Sequence, residues 1–274
     1  MFFLNYSPYI FSTPIRWYAF FVLFGAYMAL TFAKKHYKQD ERSKKHPNLI
    51  DDLFIVVFPS GLLGARIWFV LSEIDSMSFF DIFRIWQGGL AIQGGVLGGI
   101  LAGIIYYRVK KIQFPFWRLF DVVVPNILIA QAIGRWGNFF NQEVYGQCVQ
   151  PSSLWFVPTF VINNMGVPSC QQGLVAQPLF LYESILTLGG FLILSIVLRK
   201  LWTSRKDGDL ASLYLIYYGV IRIIMEPLRN ETYIMRVFGD LSFAIFTSII
   251  FIVVGLGLMA YSRFYIDKGK KEVK

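Results

Sequence analysis

The chain alternates between long apolar runs and short polar connections. A helix needs about 20 apolar residues to cross a bilayer, and seven runs approach that length: 15–33, 52–72, 89–107, 119–141, 178–198, 209–227 and 242–262. Glycine and proline inside some runs do not exclude helix, because neighbouring helices can satisfy the freed backbone groups. The pattern therefore predicts an all-α, polytopic membrane protein with about seven transmembrane helices.

Composition supports a membrane environment. Hydrophobic residues make up 55% of the chain and charged residues only 16%, whereas about a quarter of a soluble domain is charged. The first twelve residues contain no lysine or arginine and are interrupted by Pro8. We therefore expect an aromatic segment at the membrane interface there, rather than a cleavable signal peptide.

The formal net charge of +9 is concentrated in four segments, 34–48, 108–118, 199–206 and the tail from 263 onwards. Seven crossings would place all four on the same side. Loops rich in lysine and arginine face the cytoplasm, so the N-terminus is expected outside and the C-terminus inside. The basic excess thus indicates topology, and a nucleic-acid partner is not expected.

Polar residues recur every three to four positions in two of the apolar runs, which places them on one helical face. The stripes comprise Gln131, Arg135, Asn138 and Gln142 in the fourth run, and Tyr218, Arg222, Glu226 and Arg229 in the sixth. Arg66 lies within the second run. A charge at mid-bilayer costs roughly 2.5–3.5 kcal/mol, so such groups usually face the interior of the bundle and serve a function.

Arginine suits the recognition of a phosphate because its fork of donors stays protonated. The stripes therefore predict an anion site between helices. The alternative is that Arg222 and Glu226 form an i, i+4 ion pair that only stabilises the bundle. Arg135 has no acidic residue one turn away, so that alternative suits it less well.

Small residues and cysteines allow two readings each. Gly95, Gly99 and Gly103 recur every four residues and predict close helix packing, whereas the glycine pairs that flank Gln93 could equally line a path for a lipid headgroup. Both cysteines, Cys148 and Cys170, lie in segment 142–177. The outside compartment permits a disulfide, so a disulfide and two free thiols both stay open.

The stretch from Gly134 to Gly146, GRWGNFFNQEVYG, resembles the signature of the bacterial prolipoprotein diacylglyceryl transferases. Further matches follow in the family's order along most of the chain: Trp17-Tyr18, Gly64-Ala65-Arg66, Trp86-Gln87-Gly88-Gly89, Gln93-Gly94-Gly95, Pro178 to Glu183, and Tyr218-Gly219 with Arg222, Glu226 and Arg229. Members of that family transfer the diacylglyceryl group of phosphatidylglycerol to the lipobox cysteine of a prolipoprotein. A thioether forms and glycerol-1-phosphate leaves.

The resemblance implies a multi-pass enzyme of the bacterial cytoplasmic membrane whose active site faces the outer leaflet. It adds to the stripes a set of expected catalytic residues, which are Arg135, Arg222, Glu226 and Tyr18. The residues expected to bind phosphatidylglycerol are Arg135, Asn138, Gly146, Gln93, Arg66 and Arg229. The partners implied are phosphatidylglycerol and a prolipoprotein signal peptide with its lipobox cysteine, and neither a metal nor a cofactor is implied.

We expect residues 1–274 to form a single catalytic domain, with 142–177 as an extracytoplasmic cap. Many family members carry histidine at the positions of Gln93 and Gln177, but the two histidines of this chain, His36 and His46, lie in the basic segment after the first run. A histidine base is therefore not expected, and Glu226 and Glu143 are the candidates for accepting the thiol proton. A transporter of a small anion is the competing class; it explains internal arginines but not the ordered matches.

Overall fold

The computed structural model describes residues 7–264 except 12, 14, 75–76, 79, 81, 83–88, 168 and 238. Most of the predicted N-terminal aromatic segment, the basic tail beyond residue 264 and Trp86-Gln87-Gly88 lie outside the described residues.

The described chain is mainly helical. The α-helices are α1 (Trp17–Lys38), α2 (Leu49–Ser72), α3 (Ile92–Val109), α4 (Phe116–Val123), α5 (Ile127–Asn141), α6 (Thr159–Ile162), α7 (Leu179–Phe191), α8 (Leu198–Leu201), α9 (Asp209–Met225) and α10 (Phe243–Phe264). Two short strands, β1 (Cys148–Val149) and β2 (Val175–Ala176), pair antiparallel. Tight 3₁₀ turns cover Glu41–Lys45, Val124–Asn126, Pro151–Leu154, Glu226–Leu228 and Glu231–Tyr233, and a π-helical stretch covers Leu192–Val197.

Within the described residues, seven helical segments are long and apolar enough to cross a membrane: Trp17–Lys38, Leu49–Ser72, Ile92–Val109, Phe116–Asn141, Leu179–Leu201, Asp209–Leu228 and Phe243–Arg263. The predicted number of spans is thereby confirmed. The fourth span joins α4 to α5 through the turn that contains Pro125, and the fifth joins α7 to α8 through the π-helical stretch. The third span begins three residues later than predicted, after Gly89, whose φ of +74° does not belong to a helix.

The chain divides into two compact units. The small unit comprises Ala33–Pro115, and the large unit comprises Met1–Phe32 with Phe116–Lys274. In the small unit α2 and α3 pack backbone against backbone. A Cβ built on Gly94 would lie only 2.2 Å from the carbonyl oxygen of Gly64, so a larger residue would not fit there. Glycine packing is therefore confirmed for α3. The tightest contacts involve Gly94 and Gly98, in the row adjacent to the predicted Gly95, Gly99 and Gly103.

In the large unit, residues of segment 142–177 form an apolar cluster with the end of α5. Leu154, Val161, Met165 and Ala176 are almost fully buried and pack with Phe139 of α5. A disulfide joins Cys148 to Cys170, with their Cα atoms 5.6 Å apart. Of the two alternatives that the sequence leaves open, the structure contains the disulfide.

Candidate active site

Three arginines and two glutamates form a buried cluster in the large unit. They come from α5, α7, α9 and the turn that follows α9: Arg135, Glu183, Arg222, Glu226 and Arg229. Both glutamate side chains are only 3% exposed. Because an isolated charge is costly at such a position, each of them requires partners of opposite charge.

Glu183 lies at the centre of this cluster. One of its carboxylate oxygens, Oε2, pairs with Nη2 of Arg135. The other, Oε1, lies 2.8 Å from Nη1 of Arg222 and 3.7 Å from Nη2 of Arg229. A single carboxylate is thus shared by three guanidiniums.

Glu226 is the second carboxylate of the cluster and pairs with Arg222 and Arg229. Its Oε2 lies 3.1 Å from Nη2 of Arg222 and 3.5 Å from Nε of Arg229. The hydroxyl of Ser242 donates a hydrogen bond of 2.5 Å to its Oε1. The i, i+4 pair that the sequence suggests is therefore present, but it belongs to a network that spans several helices.

The cluster carries an excess of one formal positive charge, since three guanidiniums face two carboxylates. Burial lowers the pKa of Arg229, and the neighbouring charge of Arg222 lowers it further. An additional anion would relieve this repulsion. The Arg135 side chain is the most accessible of the three at 21% exposed, against 11% for Arg222 and 12% for Arg229.

Two members of this network were not among the predicted site residues. Glu183 reaches Arg135 from α7, and Ser242 reaches Glu226 from the start of α10. The sequence signal for Glu183 is a lone carboxylate at the start of an apolar span, inside the stretch from Pro178 that resembles the family. Ser242 carries no comparable signal.

The end of α5 carries an amide and a carboxylate that pair with each other. Gln142, with φ of +53°, ends the helix. Glu143 then folds back, so that its Oε1 accepts hydrogen bonds from Asn138 Nδ2 at 3.1 Å and from Asn141 Nδ2 at 3.2 Å. Asn138 is thus held in place by Glu143.

Tyr18 reaches the same region from the first turn of α1. It packs so tightly on α5 that a Cβ built on Gly137 would lie 2.7 Å from its ring. The charges of Glu143 and Arg135 both act on the Tyr18 hydroxyl. The structure therefore brings together Tyr18, Arg135 and the Asn138–Glu143 pair.

Gly146 joins the cap to the arginine cluster through the backbone. Its N–H donates to the carbonyl of Gln177 at 2.9 Å, and it forms a bridge with Arg229. The next N–H, that of Gln147, donates to the carbonyl of Leu228 at 3.0 Å. A Cβ at Gly146 would lie 2.7 Å from the Leu228 carbonyl oxygen, so this approach requires glycine.

Arg66 and Gln93 lie in the small unit. Arg66 donates from Nε to the carbonyl of Ile82 at 3.0 Å and from Nη1 to that of Gly89 at 2.9 Å. It therefore holds the connection between α2 and α3. Gln93 is half-buried in the first turn of α3. A role in substrate binding stays a prediction for both residues.

Both histidines are also in the small unit. His36 is buried near the end of α1. Nε2 of His46 accepts a hydrogen bond of 3.3 Å from the backbone N–H of Gln113.

Fold and site together define a multi-pass membrane protein with a net-positive arginine–glutamate cluster buried in its bundle. A family profile described as prolipoprotein diacylglyceryl transferase matches residues 8–261. A relative from Streptococcus pneumoniae, named phosphatidylglycerol–prolipoprotein diacylglyceryl transferase, is 37% identical over 264 residues, covering 94% of this chain and 95% of the relative. A relative of the same name from Listeria welshimeri is 37% identical over 256 residues, covering 92% and 87% respectively.

The chain therefore belongs to the prolipoprotein diacylglyceryl transferase family. The resemblance read from the sequence is confirmed, and so is the prediction of a membrane transferase. Membership of this family does not favour the alternative of an anion transporter.

Proposed function

We propose that this protein transfers the diacylglyceryl group of phosphatidylglycerol to the lipobox cysteine of a prolipoprotein at the arginine–glutamate cluster. Family membership and the name shared by its relatives support the reaction. The observation that supports this location of the site is the single excess positive charge of the cluster. The Arg135 side chain is the most accessible of its three arginines. A phosphodiester carries one negative charge and would balance the excess.

Arg135 binds the phosphate in this proposal, while Arg222 and Arg229 stabilise the charge that develops on it. Arg222 is held by two carboxylates, and its positive charge therefore stays fixed in position during the reaction. Preorganised donors of this kind are worth several kcal/mol in a site that excludes water. Asn138 and Tyr18, beside Arg135, complete the hydrogen bonds to the phosphate.

The chemical step is a displacement at carbon. The cysteine sulfur attacks the glycerol carbon that bears the phosphate ester, and the C–S bond forms as the C–O bond breaks. The electron pair of the C–O bond leaves with the phosphate, which departs as glycerol-1-phosphate. The guanidiniums therefore face a leaving group that gains negative charge, and their field also favours the thiolate form of the attacking cysteine.

The thiol proton goes to Glu143 in this proposal. Protonation of Glu183 or Glu226 would disrupt ion pairs with guanidiniums, which are costly to break when buried. Glu143 instead accepts hydrogen bonds from the neutral amides of Asn138 and Asn141, and these contribute less. Glu226 then acts by positioning Arg222 and Arg229.

We also infer that the cluster lies towards the outer leaflet of the cytoplasmic membrane. The basic segments would then face the cytoplasm, with the N-terminus outside. In this arrangement residues 1–274 form one catalytic domain, and 142–177 cover the site from outside. Arg66 and Gln93 are proposed to contact phosphatidylglycerol as well.

The test is transfer of labelled diacylglycerol from phosphatidylglycerol to a lipobox peptide by the purified protein. Arg135→Ala should abolish transfer, and Arg135→Lys should also lose most of it, because lysine keeps the charge but not the bidentate fork. Arg108→Ala, which removes an exposed arginine at the end of α3, is the matched control and should be fully active. Transfer by Arg135→Ala at the wild-type rate, or none by folded wild type, would contradict the proposal.

A further inference from the structure

Ser242 lies immediately before α10 and caps the start of that helix. Its Oγ accepts a hydrogen bond of 3.2 Å from the N–H of Ala244, and its carbonyl accepts one of 3.0 Å from the N–H of Phe246. These are the bonds of an N-cap residue. Capping uses the hydroxyl only as an acceptor, so the side chain of asparagine or aspartate would serve equally well. The proton of the hydroxyl is left for a second contact.

That proton is donated to Glu226. Oγ of Ser242 lies 2.5 Å from Oε1 of Glu226, and the two residues are only 5% and 2% exposed. A hydroxyl that donates to a carboxylate makes a charge-assisted hydrogen bond, which is stronger than one between neutral groups. Because this bond occupies Oε1, the other oxygen, Oε2, is the one that faces Arg222 and Arg229.

Close packing of α10 on α9 fixes the place of Ser242. A Cβ built on Gly219 would lie 2.8 Å from the carbonyl oxygen of Ser248, so the two helices touch through their backbones. A Cβ built on Gly255 would lie 2.8 Å from the carbonyl oxygen of Ser212, which is a second contact of the same kind. The hydroxyl is therefore presented to the end of α9 from a helix that cannot easily slide or rotate.

Arg229 depends on the Glu226 carboxylate more than the other arginines of the cluster do. Its ion pairs are the two longest in the cluster, 3.5 Å to Glu226 and 3.7 Å to Glu183. Arg222 has a second and closer pair, 2.8 Å to Glu183. Arg135 pairs with Glu183. Rotation of the Glu226 carboxylate would therefore displace Arg229 first.

We propose that Ser242 is a positioning residue of the active site, which orients the carboxylate of Glu226 and through it the guanidinium of Arg229. This inference rests on the proposed function, in which Arg229 stabilises the charge that develops on the departing phosphate. Without the hydroxyl, Oε1 loses its donor at a position almost closed to water. A buried acceptor without a partner is costly, so the carboxylate turns to share the arginine donors between both oxygens.

The first experiment measures the steady-state kinetics of diacylglyceryl transfer to a lipobox peptide. Ser242→Gly removes the hydroxyl while glycine still suits an N-cap, and kcat should fall by about tenfold or more, as expected when a catalytic charge is misplaced. KM for phosphatidylglycerol should stay unchanged, because Arg135, which binds the phosphate, is held by Glu183. Ser242→Thr keeps the hydroxyl and should retain most of kcat.

The matched control is Ser248→Ala. It removes another buried hydroxyl of α10, one that donates to the carbonyl of Ala244 instead of to the site, and it should keep the wild-type kcat. A kcat for Ser242→Gly equal to that of the control would overturn the proposal. So would an equal loss in Ser242→Thr and Ser242→Gly, because the hydroxyl would then not be the group that matters.

A second readout does not depend on transfer. The purified variants are treated with an arginine-selective reagent, and modification is read by peptide mass spectrometry. In Ser242→Gly the modification rate of Arg229 should rise severalfold, while exposed Arg108 of α3 should react as in wild type. An unchanged rate at Arg229, or an equal rise at Arg135 through general loosening, would overturn the proposal. Absence of transfer by folded wild type would instead contradict the proposed function, and the rate at Arg229 would still decide whether Ser242 holds this arginine.

Discussion

Replacing Glu183 by glutamine removes the carboxylate that three guanidiniums share while keeping the shape of the side chain. Arg135 loses its ion pair, Arg222 loses one of two, and Arg229 loses its contact at 3.7 Å. The charge of the cluster rises by one, with only Glu226 left to balance three arginines. The variant thus tests whether the network is held together electrostatically.

The magnitude follows from burial. Removing one partner of a buried ion pair costs about 3–5 kcal/mol, and the Glu183 side chain is 3% exposed. The matched control is Asp51→Asn, which breaks the pair between Lys34 and Asp51. Its atoms are 2.8 Å apart, but its side chains are 37% and 38% exposed. Such exposed pairs are worth about 0–1 kcal/mol.

The assay is thermal unfolding of the purified protein in detergent. Glu183→Gln should lower Tm by on the order of 10 °C, since 1 kcal/mol corresponds to a few degrees for a chain of this size. Asp51→Asn should change Tm by about 2 °C or less. Equal Tm values for the two variants would refute the idea that Glu183 is the electrostatic centre of the bundle.

Three further changes test contacts of the backbone and the cap. Gly146→Ala should lower Tm and abolish transfer, because its Cβ would collide with a facing carbonyl, whereas Gly134→Ala, with nothing within 4 Å, should leave both unchanged or raise Tm slightly. Gly94→Ala should likewise lower Tm by separating α2 from α3, with Gly134→Ala again as control. Replacing Cys148 and Cys170 by serine should cost about 3 kcal/mol, as expected for a loop closed over 22 residues; the Tm of wild type should fall in reductant and that of the double variant should not.

The number and approximate position of the spans were predictable, because a helix that crosses a bilayer needs about 20 consecutive apolar residues. The residues at which the helices begin and end were predicted less accurately. α2 begins at Leu49 and carries Asp51 and Asp52 in its first turn, and α1 continues to Lys38 with a basic last turn. Charges of these signs are favourable at those helix ends, but the predicted runs began only at Asp52 and ended already at residue 33, because charged positions interrupt an apolar pattern.

The sequence predicted those site residues that form a polar face on a single helix. The stripes that contain Arg135 and Arg222 lie on inward faces because any other orientation would expose a charge to lipid. The partner of Arg135 was not predictable in this way. Glu183 lies on another helix, and its pairing depends on how α5 and α7 are rotated and offset against each other.

The membrane environment, the number of spans, their polar faces and the family could all be inferred from the amino-acid sequence, because each depends on residues that lie close together along the chain. The three-dimensional structure was needed to show that three arginines share Glu183, that Gly146 holds the backbone beside Arg229, and that the two cysteines are joined. These contacts link residues that are distant in sequence. Their geometry arises from packing between helices, which no periodicity within a single helix can specify.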